Sequence, residues 1–172
     1  MKKLLSLLIL FSLVIFQGCE PEQNYVYVPT ETCSDGILNQ GELETDCGGP
    51  CPACSSRMSA KVDGISWQAQ GNITSSTNNG SLIILSGNGT STMSIIYTGA
   101  FALGTYNLAS AVYGETATQT FYMANGGSIT FTSWDTRQKT VSGTFSFTGI
   151  ESSGTGTQKT ITEGVFKFVP YQ

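Results

Sequence analysis

Val141-Ser142-Gly143-Thr144-Phe145-Ser146-Phe147-Thr148 alternates an apolar or small residue with a hydroxyl residue at every step. In an extended chain successive side chains point to opposite faces. Val141, Gly143, Phe145 and Phe147 therefore share one face, and Ser142, Thr144, Ser146 and Thr148 share the other. That is the pattern of a half-buried antiparallel strand.

The same grammar extends in both directions. Ile129 and Phe131 alternate with Ser128, Thr130 and Thr132. Lys61-Val62-Asp63-Gly64-Ile65-Ser66-Trp67 sets Asp-Gly between two β runs, the signal of a tight hairpin. Near the end of the chain Ile161 falls on an odd position and Phe166 and Phe168 on even ones, so the inward face must change phase between them. A bulge at Glu163-Gly164 would absorb the extra residue, with the glycine expected to take the left-handed backbone. Ser81 to Ser86, Thr92 to Thr98, Gly104 to Leu108 and Thr120 to Ala124 are further predicted strands, and no stretch of this region carries a helical period. The composition, rich in Thr, Ser, Gly and β-branched or aromatic residues and poor in charge, suits strands and turns. Residues 58–172 are thus expected to form an all-β domain, an antiparallel β-sandwich or a barrel-like closure.

Several of these segments resemble a known family. Ala60-Lys61-Val62-Asp63-Gly64 with Trp67 downstream, Gly104-Thr105-Tyr106, Gly127 to Thr132, Ser142 to Phe147 and Thr162-Glu163-Gly164-Val165-Phe166 are similar to a domain-of-unknown-function family found in lipoproteins of Gram-negative Bacteroidota. The resemblance implies an all-β lipoprotein domain and transfers no functional residues. Cys33-Ser-Asp-Gly-Ile-Leu-Asn-Gln-Gly-Glu, continuing to Asp46-Cys-Gly-Gly-Pro-Cys-Pro-Ala-Cys54, resembles a cysteine-rich insert of cell-surface proteins.

Ahead of these lies a segment that reads as an address. Met1, Lys2 and Lys3 give a positive end, and Leu4 to Phe16 form an apolar run interrupted by Ser6 and Ser12. The run is shorter than the about 20 residues that a spanning helix needs, and it fits a signal-peptide core. Phe16-Gln17-Gly18-Cys19 follows and resembles a lipobox, in which a cysteine receives diacylglycerol before the leader is cut. Residues 1–18 are read as a lipoprotein signal peptide and Cys19 as the lipidated first residue. Acyl chains contribute about 0.8 kcal/mol per buried methylene, so the expected membrane contact is lipid. Glu20 after Cys19 resembles outer-membrane sorting, facing either the periplasm or the exterior. Residues 19–32 read as a polar, proline-bearing tether.

With Cys19 used for lipid, Cys33, Cys47, Cys51 and Cys54 remain, spaced C-x13-C-x3-C-x2-C in a module of residues 33–54. In an oxidising compartment this even set reads as two disulfides rather than zinc ligands, since zinc requires reduced thiolates. Three pairings are open. Cys33 with Cys51 and Cys47 with Cys54 avoids the very small Cys51 to Cys54 ring.

Charge divides the chain in the same place. The formal net charge is −4. From Met58 onward Asp63, Glu115, Asp135, Glu151 and Glu163 are balanced by Lys61, Arg137, Lys139, Lys159 and Lys167, so the excess of acid lies near the module. Without a basic patch to neutralise phosphates, a nucleic-acid partner is not expected. Asp35, Asn39, Glu42 and Asp46, with Glu44 beside them, offer hard oxygen ligands on a stapled loop and form a candidate calcium site. Their spacing departs from the EF-hand pattern, and a solvated acidic turn that aids solubility is the favoured account of them.

Catalysis is not expected. The chain has no histidine, which removes Ser-His-Asp, Cys-His and His-metal chemistry. Paired carboxylates could still hydrolyse a glycoside, but nothing in the sequence sets two of the domain's acids face to face. Binding is the stronger alternative. Trp67, Tyr97, Tyr106, Tyr113, Trp134 and Tyr171 are candidate platforms for a glycan, and each also suits a β core. Trp134, in Ser133-Trp134-Asp135 at a strand end, is the foremost of them. A third class is structural, a spacer or accessory subunit of an envelope complex. The chain is therefore expected to be a membrane-anchored envelope lipoprotein with a non-catalytic β domain.

Overall fold

A computed structural model describes residues 33–71, 73–78, 80–154 and 156–172. Cys19, the leader and the tether lie outside the described residues. The ten elements are all strands: β1 (Arg57–Val62), β2 (Ile65–Gln68), β3 (Thr74–Asn78), β4 (Ser81–Gly87), β5 (Ser91–Thr98), β6 (Gly104–Asn107), β7 (Ser110–Glu115), β8 (Thr120–Asp135), β9 (Thr140–Glu151) and β10 (Gln158–Pro170).

They form one antiparallel sheet in the order β2-β1-β10-β9-β8-β7-β5-β4-β3. β8 is long enough to serve two partners on one edge. Its first half pairs β7 through Met123↔Val112 and Tyr122↔Tyr113, and its second half pairs β6 through Ile129↔Tyr106 and Phe131↔Gly104. Between them the register against β9 shifts from Ala124 to Gly127, and Gly126 there has φ +92°. The extra residues bend the strand.

The sheet rolls up until its two ends approach. The indole Nε1 of Trp67 in β2 donates to Ser91 Oγ in β5 at 2.8 Å, the amide of Gln70 donates to Gly87 O at 2.8 Å, and the Ser75 hydroxyl in β3 donates to Pro170 O in β10. Of the two expected architectures the chain adopts the barrel-like one, a half-barrel made from a single curled sheet rather than two stacked sheets.

The concave face holds the core. Met58, Trp67, Leu82, Ile84, Met93, Ile95, Ile129, Phe131, Val141, Phe145, Phe147, Ile161 and Phe166 are all buried in one cluster. Burying each such side chain contributes roughly 1.5–3 kcal/mol. The alternation of β9 is as expected, with Val141, Phe145 and Phe147 inward. Gly143 is inward too, and a Cβ there would fall 2.6 Å from the Phe166 ring, so the aromatic occupies the space the glycine leaves.

Both predicted backbone features are present, one with a changed cause. Asp63 and Gly64 have φ +49° and +81°, the paired left-handed residues of a tight hairpin turn. The β10 register shifts between Ile161 and Gly164, where the bulge was expected. The left-handed residue is Glu163 (φ +49°), not the glycine. Gly164 is there because a Cβ would meet Phe145 O at 2.5 Å.

Candidate functional site

The aromatic residues fall into two groups. Trp67 and Tyr113 belong to the opposite side of the core, with Trp67 only 5% exposed and held by Ser91. Tyr97, Tyr106, Trp134 and Tyr171 are brought together with Phe131 at one end of the half-barrel. Tyr97 meets Phe131 at 5.0 Å, Phe131 meets Trp134 at 5.1 Å, and Trp134 meets Tyr171 at 5.1 Å. β5 supplies Tyr97, β6 Tyr106 and β8 Trp134, and Tyr171 follows β10.

Trp134 is half-buried at the end of β8. It packs against the core at its edge, as the ordinary reading expected, while Phe101 lies over its face. Phe101 is a residue the sequence reading missed. It sits in Gly99-Ala100-Phe101-Ala102-Leu103, a loop without alternation, and gives no periodic signal. Phe101 is 39% and Leu103 61% exposed, so this end presents apolar surface to solvent.

Phenols hold the loop down. Tyr97 Oη donates to Ala100 O at 2.8 Å and Tyr106 Oη donates to Leu103 O at 3.3 Å. Burial, and then the neighbouring Tyr106, pushes the Tyr97 phenol above its ordinary pKa, so it remains a donor throughout the physiological range. On the other flank the Asp135 carboxylate accepts from the amides of Arg137 and Gln138, which fixes the β8–β9 turn beside Trp134. Lys139 in that turn lies 5.8 Å from the Tyr171 ring. The indole face is thus covered by Phe101, and the two phenol hydroxyls of this end are engaged by loop carbonyls.

The stapled module is built differently. Cys33 pairs with Cys51 and Cys47 with Cys54, the pairing that avoids the small ring. Asp35, Asn39, Glu42 and Asp46 do converge, and carboxylate oxygens of the three acids accept backbone amides. Asp46 Oδ1 accepts from Asp35 N (2.9 Å) and Gly36 N (3.1 Å), and Asp35 Oδ1 accepts from Ile37 N (2.8 Å). Glu42 Oε2 accepts from Asn39 N and Asp46 N, and Asn39 Nδ2 donates to Asp35 Oδ2. Among the described residues no group of three or more His, Cys, Asp or Glu is placed to hold a metal ion.

Glu44 pins this module to the sheet. Its carboxylate pairs with Arg57 of β1 and, at 2.8 Å, with Lys167 of β10. Hydrogen bonds from Arg57 first and Lys167 second hold its pKa down to about 2. Gln138 Nε2 adds a 3.4 Å bond to Gly49 O.

At the mouth beside the β1–β2 turn, the structure joins two acids that the sequence could not pair. Lys159 Nζ lies 3.3 Å from both Asp63 Oδ2 and Glu115 Oε1. Burial lowers the Lys159 pKa, but the bonds from Asp63 and Glu115 outweigh it and leave it raised. Asp63 Oδ1 is also taken, by the amide of Thr160 at 2.8 Å. The cluster clamps the turn to β10.

No curated protein and no solved structure matches the chain. A family model described as Domain of unknown function (DUF6252) matches residues 55–170, beginning just past Cys54 and leaving the module outside it. That match takes in all ten strands from the first residues of β1 to the last of β10, and the chain belongs to this family.

Proposed function

We propose that this chain is an exported, lipid-anchored protein of the cell envelope whose β domain is a non-catalytic binding module. The aromatic end around Trp134 is its binding surface, and the ligand class is glycan. The carrying observation is the exposure of Phe101, stacked on Trp134, and of Leu103 in the same loop, whose carbonyls the Tyr97 and Tyr106 hydroxyls hold. Core packing alone does not require large apolar side chains to face water at a strand end. The absence of histidine, and the engagement of Asp63 and Glu115 by one lysine, support binding over hydrolysis.

The lipid anchor is supported by the Lys2-Lys3 end, the apolar run and Gly18-Cys19. Both disulfides accord with an oxidising compartment. Outer-membrane attachment through Cys19 is supported by Glu20 next to it. Electrophoresis through gels holding soluble polysaccharides tests the ligand: the wild-type chain should be retarded and Trp134→Ala, still folded, should not. Mass spectrometry of the mature chain tests the anchor, and a Cys19 without acyl groups would refute it.

One observation favours a second reading, an accessory subunit of an envelope complex. Cross-strand register lines up Leu85, Ser94, Val112, Met123 and Ile150 on the convex face of β4, β5, β7, β8 and β9. Leu85 and Met123 are about half exposed, as is Phe121 in the adjoining row, and the row carries no charge. Co-purification of a stable partner that Met123→Glu releases would favour that reading over glycan capture.

A further inference from the structure

Phe101 covers one face of Trp134. Its ring lies 4.8 Å from Trp134 at an interplanar angle of 16°. The other ring pairs of this end, made by Tyr97, Tyr106, Phe131, Trp134 and Tyr171, meet at 48° to 74°. Aromatic packing in a core readily takes such tilted forms. The core itself also stacks Phe145 on Phe147 at 25°; what sets Phe101 apart is that its near-parallel ring forms a lid over a half-buried indole while remaining 39% exposed.

The lid is also built to lift. Gly99 (φ +151°) and Gly104 (φ +139°) bracket it, backbone conformations that other residues rarely adopt. Within the lid the carbonyls of Ala100 and Leu103 are held by side-chain hydroxyls, those of Tyr97 and Tyr106, the amide of Ala102 bonds to Ala100 O inside the loop, and at the lid's first residue the Gly99 amide bonds to Gly80 O at 3.1 Å. β5 and β6 on either side are secured by full ladders to β4, β7 and β8. Lifting the lid therefore breaks few bonds and leaves the sheet intact.

We propose that loop Gly99–Gly104 is a gate that closes by laying Phe101 on Trp134, and that the ligand is a neutral saccharide whose pyranose ring takes Phe101's place. The inference rests on the glycan reading of this end and adds how the site is kept shut. A saccharide is favoured over an apolar peptide by what opening releases. When the loop lifts, the Tyr97 and Tyr106 hydroxyls lose their carbonyl partners at the same end as the bared indole. A sugar ring offers a face for the indole and hydroxyls for both phenols. An apolar side chain would bury them unpaired, which is costly. Closed, the gate reduces apparent affinity by the fraction of time the site is open, so removing the plug should tighten binding.

The test uses the full chain in three forms. In gels containing xyloglucan, galactomannan, laminarin or soluble mannan, Phe101→Ala should bind at least one polysaccharide about fivefold or more tighter than wild type. Trp134→Ala should lose the binding. If that variant does not fold, Trp134→Phe, which narrows the platform, should weaken it. Acrylamide quenching of tryptophan fluorescence should rise in Phe101→Ala, because Trp67 is buried and the added quenching reports Trp134. Unchanged or weaker binding in Phe101→Ala would overturn the gate and leave the glycan site standing. No retardation of wild type or Phe101→Ala in any gel would overturn both. Binding of the free peptide Gly-Ala-Phe-Ala-Leu-Gly by Phe101→Ala, with no saccharide binding, would assign the seat to an apolar peptide and overturn the saccharide.

Discussion

Glu163 holds a left-handed backbone (φ +49°) although glycine is its neighbour. For an L-residue that conformation costs roughly 1–2 kcal/mol. Its salt bridge to Lys61 returns little, since both side chains are well exposed. Glu163→Gly is therefore expected to stabilise the fold by up to about 1 kcal/mol, whereas Gly164→Ala should destabilise it by about 1–3 kcal/mol by driving a methyl into Phe145 O. Urea denaturation of both variants checks the pair, and a stable Gly164→Ala would refute the close-approach account. The sequence showed that a phase change had to occur near these residues, because Ile161 and Phe166 cannot otherwise face the same core. It could not show which of the two turns left-handed, since that is decided by the Phe145 carbonyl on another strand. Phe101 was illegible for a related reason: its partner Trp134 lies on β8, and a loop residue has no period to betray it.

At the scale of elements, legibility followed apolar alternation. β4 and β5 place Leu82, Ile84, Met93, Ile95 and Tyr97 inward at alternate positions and were readable within a residue or so, while β9, legible from Val141 to Thr148, runs on to Glu151. β3 consists of Thr-Ser-Ser-Thr-Asn, with no apolar face, and is a strand because β4 offers it a ladder. β7 has only Ala111 and Tyr113 buried with certainty of phase, and it also escaped notice. Asn125-Gly126-Gly127 read as an end to a strand, yet it is a bulge inside β8, whose halves serve β7 and β6. The module's docking was likewise invisible, since it depends on Glu44 meeting Lys167, 123 residues further along the chain. That contact should be acid-sensitive. Glu44 has a folded pKa of about 2 against an ordinary 4.5, so its contribution is complete above about pH 4.5 and is lost as pH falls toward 2. Wild type should melt higher than Glu44→Gln at neutral pH, and the gap should close between pH 5 and 2. A gap independent of pH would mean that the side chain acts by packing rather than charge.

Across the whole molecule, the disulfides and the hydrophobic core are separate systems. The core cluster contains no cysteine, and both bridges close loops lying ahead of β1, with sequence separations of 18 and 7. A cross-link stabilises chiefly by restricting the unfolded chain that it encloses, and here that chain is the module alone. The sheet instead depends on closure of its ends, through Trp67 to Ser91 and Gln70 to Gly87, and on burial along the concave face. Reduction with a phosphine at neutral pH should therefore open residues 33–54 to limited proteolysis while a fragment carrying β1 to β10 survives. Its far-ultraviolet circular dichroism should stay β-type, and its melting temperature should fall by only a few degrees. The family match, which begins after Cys54, is the outcome expected if the sheet is the unit that folds and the module an attachment to it. If reduction instead abolished the β spectrum, the module would have to be holding the half-barrel closed, and Glu44, Arg57 and Lys167 would be the residues through which it did so.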